Sequence, residues 1–265
     1  MRRSVAKHRR CHFTFNSRIM QSMSVLSSAV KTTGGLHHLR TFAIAVAVLA
    51  FGTGEALGEP PCGDGTPLDA NCEIALEALH PTQLAVGMMQ VEERAARMKS
   101  GIDGVRYTRE RPIPVVQGPD GGFYLTDSHH LVSVLTRVGV KRATARLIGR
   151  IREPADFWPE MQARHWVYLF DARGKRIAPS ALPKHIAGLA DDPYRALAGY
   201  AESAGYFHRT DAYFMEFEWA RYFGSHMRWQ PIDRMNLLNA LESAAKLACR
   251  PEASSLPGYA GPCRP

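Results

Sequence analysis

Residues 123–132 read FYLTDSHHLV, and they set Asp127, Ser128, His129 and His130 between an apolar strand-like run and a helix-like run. Four polar side chains are more than a turn needs. At a strand-to-helix corner the first backbone N–H groups have no intrahelical partners and sit at the positive end of the helix dipole, which makes a natural phosphate cradle. Asp127 ends the strand, and Ser128 can cap the helix. His129 and His130 fall in the first turn, where protonated or N–H-donating imidazoles would add hydrogen bonds to an oxyanion. The bland alternative is a plain N-cap with two surface histidines. Direct ligation of a transition metal by Asp127, His129 and His130 needs an unwound corner, because neighbouring helical residues point about 100° apart.

Other residues could serve the same pocket. Thr82 and Gln83 of HPTQ are polar in an apolar neighbourhood, and either line the pocket or form a turn with a capping Thr. Glu92 and Glu93 are candidate bases, although consecutive glutamates on a helix also describe a solvated face. His208, Asp211 and Glu216, in FHRTDAYFMEFEW, fit either a structural role or a second wall, with one of Glu216 and Glu218 buried and paired among aromatics. Tyr213, Phe214, Phe217, Trp219 and Tyr222 fit helix packing better than a base-stacking platform. Arg137–Arg152 holds six basic residues and no acid. It reads as a phosphate-facing stripe or, more simply, as a solvated strand edge.

The elements that must position these residues follow from periodicity. Residues 73–101 predict two helical pieces divided by HPTQ. RPIPVVQ and GFYLTD flank GPDGG, a hairpin signal. HHLVSVLTRVG predicts a helix closed by Gly139, and KRATARLIGRI a strand. Residues 154–188 predict a helix, a hairpin around Gly174 and a short helix over LPKHIAGL. Beyond them the pattern is helical: a helix capped by Asp191 or Asp192 with Pro193 in its first turn, one opening at Asp211, and a last one over PIDRMNLLNALESAAKLAC. The organisation expected is a signal segment at 1–58, a loop-like stretch at 59–75, a small α/β core at 76–152, a helical extension packed on it at 153–248, and a Pro/Gly-rich tail at 249–265.

The formal charge of +8 invites a nucleic-acid reading, but its distribution argues against one. Residues 1–58 carry eight Lys/Arg and one acid, leaving 25 basic and 24 acidic residues beyond them. The folded part therefore lacks the positive field of a DNA binder. Arg40 precedes the apolar run FAIAVAVLAF, too short to span a bilayer, and Ala56 and Gly58 fit a signal-peptidase site before Glu59. Met20 or Met23 is an alternative start, and an uncleaved anchor an alternative fate. Periplasmic or secreted placement is the expectation. Cysteine usage agrees: beyond Cys11, the chain has Cys62, Cys72, Cys249 and Cys263 in two close pairs. Local pairing, Cys62 with Cys72 and Cys249 with Cys263, is the simplest of three connectivities, and no Cys-x-x-Cys spacing suggests zinc.

Taken together, PTQ…VG…V from Pro81 to Val91, RPIPVV, the Gly-rich turn, YLTDSHHLVSVL and the basic strand resemble the ParB/sulfiredoxin superfamily. Within it the similarity is to the ParB-like nucleases, and LADDPYRALAGYAESAGYFHRTDAYFMEFEWARYF resembles that subfamily's helical continuation. The resemblance covers roughly residues 76–225. It implies an α/β (α+β) fold, with a small mixed sheet and helices followed by a helical portion, and a nucleotide or phosphate site at the corner. Relatives include a nucleotide-hydrolysing partition protein, a sulfinic-acid reductase and a free-serine kinase. Many carry Asp-Gly-His-His-Arg here, whereas this chain has Ser128 for the Gly and Leu131 for the Arg that would grip phosphate bidentately. Arg137, Lys141 or Arg142 would have to substitute. The corner lacks the reductase cysteine, which excludes that chemistry, and the helical part shows no clear helix-turn-helix.

For a hydrolase, phosphoryl transfer needs positioning and charge neutralisation, usually with a divalent cation such as Mg²⁺. His129 and His130 are then expected to contact phosphate oxygens, with Ser128, Thr82 and Gln83 beside them. Asp127 would orient an imidazole or hold Mg²⁺ through water, and Glu92 or Glu93 would be the base. The expected partner is a nucleotide or other phosphorylated ligand. The alternative is a binding module without turnover.

Overall fold

The computed structural model describes residues 59–98 and 101–263. The signal segment expected at 1–58 lies outside them. In chain order the elements are β1 (Asn71–Ala75), β2 (Leu79–His80), β3 (Ala85–Val86), α1 (Met88–Arg97), α2 (Gly104–Thr108), β4 (Ile113–Gln117), β5 (Phe123–Leu125), α3 (His129–Arg137) and β6 (Arg142–Arg150). Then follow α4 (Pro154–Ala163), β7 (Ala190–Asp191), α5 (Pro193–Ser203), α6 (Met215–His226) and α7 (Leu237–Ala248), with short 3₁₀ turns between.

Five strands form a mixed sheet in the order β1-β6-β4-β5-β2. The GPDGG hairpin forms as expected: β4 and β5 pair antiparallel, Val116 opposite Tyr124. In the turn Gly121 takes φ +78, and the Asp120 carboxylate accepts the Gly122 N–H at 3.0 Å. β6 runs parallel to β4 and antiparallel to β1. It is an interior strand, not an edge. Its Ala143, Ala145 and Leu147 are buried, while Arg142 pairs with Glu73 and Arg146 with Asp69 at 3.1 Å. Arg150 donates to Gln117 Oε1 at 2.6 Å and to the Thr66 carbonyl at 2.9 Å. These three arginines of the basic run thus serve sheet neighbours.

Several local expectations change. The first piece expected as helix, and part of the stretch expected as loop, is β1, with Cys72 and Ile74 buried two apart against β6. A partner about 70 residues away in sequence overrides the local helix pattern. Around Gly174 only one bridge forms, Phe170 with Arg176, and LPKHIAGL ends in a 3₁₀ turn at Ile186–Gly188. α6 opens at Met215 rather than Asp211, because Phe214 takes a left-handed conformation, φ +57, just ahead of it. The α5 start is as read: the buried Asp192 accepts the Arg195 N–H at 2.9 Å, and Pro193 follows the cap.

One core lies between the sheet, α1 and α3 and includes Leu79, Val91, Leu125, Val132 and Leu135. A second joins α5, α6 and α7 around Leu197, Phe207, Trp219 and Phe223. Both disulfides pair locally, Cys62 with Cys72 and Cys249 with Cys263. Among the described residues no helix is long and apolar enough to cross a membrane.

Candidate functional site at the strand–helix corner

Between β5 and α3 the chain turns through Ser128, whose φ of +68 and ψ of 17 lie in the left-handed region that glycine favours. The Asp127 carboxylate accepts the Ser128 N–H at 2.5 Å. The Ser128 hydroxyl makes no cap hydrogen bond, contrary to expectation, since a capping serine reaches the helix amides from extended backbone. The first intrahelical bond runs from the Val132 N–H to the Ser128 carbonyl at 2.9 Å. Among the described residues nothing accepts from the N–H groups of His129, His130 and Leu131.

The imidazoles are pinned, and both are acceptors. His129 Nε2 accepts the Thr82 N–H at 3.0 Å, while the Thr82 hydroxyl donates to the Leu125 carbonyl at 2.6 Å. His130 Nε2 accepts the Gly87 N–H at 3.0 Å. Each ring therefore carries its proton on Nδ1. Burial pushes the His129 pKa down to about 3. Burial, then the charges of Arg195, His129 and Arg94, hold His130 well below the usual histidine range. At neutral pH both are neutral; of the two states expected from sequence, the N–H-donating one is present and the protonated one is not. Close packing makes Gly87 a glycine: a Cβ there would lie 2.7 Å from the Ala196 Cα, so α5 docks against the very peptide that holds His130.

Both rings line a cavity of about 870 Å³. The corner supplies Thr126–Leu131, with Gln83 beside it; Gln83 donates to the Ala85 carbonyl at 2.7 Å. Gln90 and Arg94, one turn apart on α1, form a second side, and Arg195, Gly199 and Glu202, at helical spacing on α5, a third. The loop 209–214 and the start of α6 close it, with His165 and Trp166 at the end of α4. Arg94, Arg111, Arg195 and Arg209 thus converge here, from four separate segments. Glu216 lies between two of them, 3.3 Å from Arg195 and 2.9 Å from Arg209, and Arg209 also reaches Glu202 at 3.3 Å. Burial pushes the Glu216 pKa up, but the two guanidiniums outweigh it and hold the carboxyl below its ordinary value. Arg195 Nε is buried with no hydrogen-bond partner among the described residues.

Expected residues are thus divided. Asp127, Ser128, His129, His130 and Gln83 meet at the cavity, and Thr82 stands behind His129 as its anchor. Asp211 and Glu216 form the second wall; His208 does not line it and instead donates its N–H to the Gly258 carbonyl. Glu92 and Glu93 do not line it either. Glu92 is engaged by Arg137 at 2.8 Å and Arg234 at 2.5 Å, and Glu93 by Arg97 and by the Tyr200 hydroxyl at 2.8 Å. Arg137 and Arg142, expected as substitutes for the family arginine, are likewise paired elsewhere. The arginines that do line the cavity are Arg94, Arg111, Arg195 and Arg209, which the sequence did not single out. The sole signal was the 4-then-3 spacing of Arg195, Gly199 and Glu202. Among the described residues no three His, Cys, Asp or Glu side chains converge as a metal-binding group, so the donor set does not fit a protein-held ion.

Comparison with known proteins places this geometry. Among curated proteins the chain has no match. In solved structures it is similar to protein Atu1540 from Agrobacterium tumefaciens, with 35% identity and a TM-score of 0.63 over 72% of this chain and 98% of that one. The model of the family described as "Putative ParB-like nuclease" matches residues 72–225, more than half of the chain, from β1 through most of α6 and so across every wall of the cavity. The chain belongs to the ParB-like nuclease family.

Proposed function

We propose that the cavity beside Asp127–His130 binds the phosphate of a nucleotide or nucleic-acid end, and that the protein hydrolyses the bound phosphoryl or phosphodiester group outside the cytoplasm. The carrying observation is that four arginines line the same cavity as a helix N-terminus whose first amides have no partner among the described residues. Those amides and the Nδ1–H donors of His129 and His130 are suited to phosphate oxygens, and the guanidiniums to its charge. The histidines act as neutral donors and positioners, not as acids. A base has to come from Asp127 or Asp211, the cavity carboxylates with no ion-pair partner among the described residues. A divalent cation would arrive with the phosphate rather than wait in a protein cage. The two disulfides suit an oxidising compartment, where a scavenging or defensive hydrolase is favoured over a kinase that needs a cytoplasmic nucleotide pool.

One observation favours a second reading, a binding module without turnover: both Nε2 atoms are committed to backbone amides, so neither ring can shuttle a proton without breaking its pin. The full chain, prepared with its disulfides formed, distinguishes these. Binding and phosphate release are followed for a mononucleotide and for single-stranded and duplex oligonucleotides, with and without Mg²⁺. Arg94→Ala and Arg111→Ala alter exposed side chains and should each weaken binding about tenfold, the worth of a charge-assisted hydrogen bond. Turnover supports the hydrolase, and binding without turnover the module. No binding of any phosphate ligand removes both.

A further inference from the structure

The mouth of the cavity carries a feature that phosphate alone does not require. Tyr213 lines it with 61% of its surface exposed, and its ring lies parallel to that of His165, centroids 4.4 Å apart and 13° between planes. The two rings come from different loops, and each loop is held in an unfavourable backbone state. His165, two residues past the end of α4, has φ +55, and Phe214, next to Tyr213, has φ +57. Of the six non-glycine residues with positive φ among the described residues, three line this one cavity: Ser128, His165 and Phe214. The left-handed region brings a side chain's Cβ too close to the backbone, so each such residue is strained. They persist where surrounding contacts over-determine them, and they gather at ligand sites. Here the contacts are visible. Phe214 packs on Tyr168 at 5.0 Å, Tyr168 stacks on Phe217 at 4.2 Å, and the Trp166 N–H is tied to the Met161 carbonyl at 2.8 Å just beyond His165. Phe217, Trp219 and Tyr222 are core, as their spacing suggested, but Tyr213 is not: the anchored Phe214 turns the chain so that Tyr213 lies on His165 at the rim.

We infer that this ring pair is a stacking seat for an unpaired nucleobase, so that the ligand class is a mononucleotide or a single-stranded nucleic-acid end, not a phosphosugar or a duplex interior. One face of Tyr213 is taken by His165, and its exposure leaves the other for a third ring. Every base has a flat face to offer, but within a duplex both faces are already stacked. The phosphate of such a ligand would reach the amides and arginines deeper in the cavity, so this inference rests on the phosphate reading above.

Titration of the full chain with ribose 5-phosphate, adenosine monophosphate, a single-stranded oligonucleotide and a blunt duplex tests it. The monophosphate, the single strand or both should bind more tightly than ribose 5-phosphate and the duplex, and which of them does so identifies the source of the base. Tyr213→Ala should weaken base-bearing ligands about tenfold, in the range found for single base–aromatic stacks. It should leave ribose 5-phosphate unchanged, and Tyr213→Phe should restore the wild-type affinity. Equal binding of ribose 5-phosphate and adenosine monophosphate, unmoved by Tyr213→Ala, overturns the stacking seat while the phosphate reading stands. If no ligand binds at all, the phosphate reading fails and the seat fails with it.

Discussion

The corner and the wall opposite it face one cavity in contrary electrical states. At the corner His129 and His130 are desolvated, neutral and bonded to backbone amides contributed by Thr82 and Gly87. On the wall Arg195 and Arg209 are charged and share Glu216, with Glu202 as a second partner of Arg209. The corner is made rigid by peptide groups, whose positions the sheet and α5 fix. The wall is made responsive by side chains, whose pairing an incoming anion can rearrange. A phosphate site needs both qualities: donors that do not move, and positive charge that can be redirected. On the proposed phosphate reading, this division leaves the histidines as fixed donors and puts the positive charge across the gap.

The sharpest way to break this contrast is at His129. If its ring is a structural pin, His129→Ala leaves the buried Thr82 N–H unsatisfied and opens a void, and the fold should lose about 3 kcal/mol. Urea or guanidinium unfolding at pH 7 measures it. A loss below about 0.5 kcal/mol would place His129 among ordinary surface histidines.

Acidification separates the two regions next. With its folded-state pKa near 3, against an ordinary 6.5, His129 takes up no proton in the folded chain over a range where the unfolded chain does. Its contribution is complete above about pH 6.5 and falls by about 1.4 kcal/mol per unit as pH drops toward 3. His130 shifts in the same direction and adds to the slope. Glu216, held below its ordinary value of 4.5, contributes fully above that value and loses stability only below it. The corner should therefore begin to fail near pH 6.5, and the wall only in the carboxylate range. Unfolding free energies at pH 7, 6 and 5 should decline in the native protein and decline less in His129→Ala. A flat native profile over this interval would mean that the rings are protonated and exposed.

These two regions were unequally legible in the sequence. The corner is contiguous, Asp127 to His130, and the hairpin signal before it and Gly139 after it bound its elements, so local chemistry was enough to find it. The wall is assembled from α1, α5, the loop at 209–214 and α6, and nothing in the spacing of Arg94, Arg111, Arg195 and Arg209 along the chain reveals that they converge. The same physics hid β1: NCEIALEAL has a serviceable helical pattern, and only pairing with β6 makes its first five residues a strand. Phe214 illustrates the converse limit, since a left-handed phenylalanine has no sequence signature and shifts the start of α6 by four residues from the expected opening at Asp211. The local disulfides were readable because each pair lies within one loop-like segment.

The smallest expected effect tests whether catalysis belongs to the cavity at all. Glu92 and Glu93 lie two residues and one residue before the cavity-lining Arg94 but face other partners: Arg137 and Arg234 for Glu92, Arg97 and Tyr200 for Glu93. Ion pairs this exposed contribute little, so Glu92→Gln and Glu93→Gln should each cost no more than about 0.5 kcal/mol in stability. Ligand affinity should stay within about twofold, because neither side chain meets the phosphate. Should Glu92→Gln or Glu93→Gln instead retain its stability and affinity but lose turnover by about a hundredfold, the scale of a missing general base, the chemistry would have to move out of the cavity and onto the outer face of α1. The contrast between a rigid corner and a charged wall would then describe binding alone.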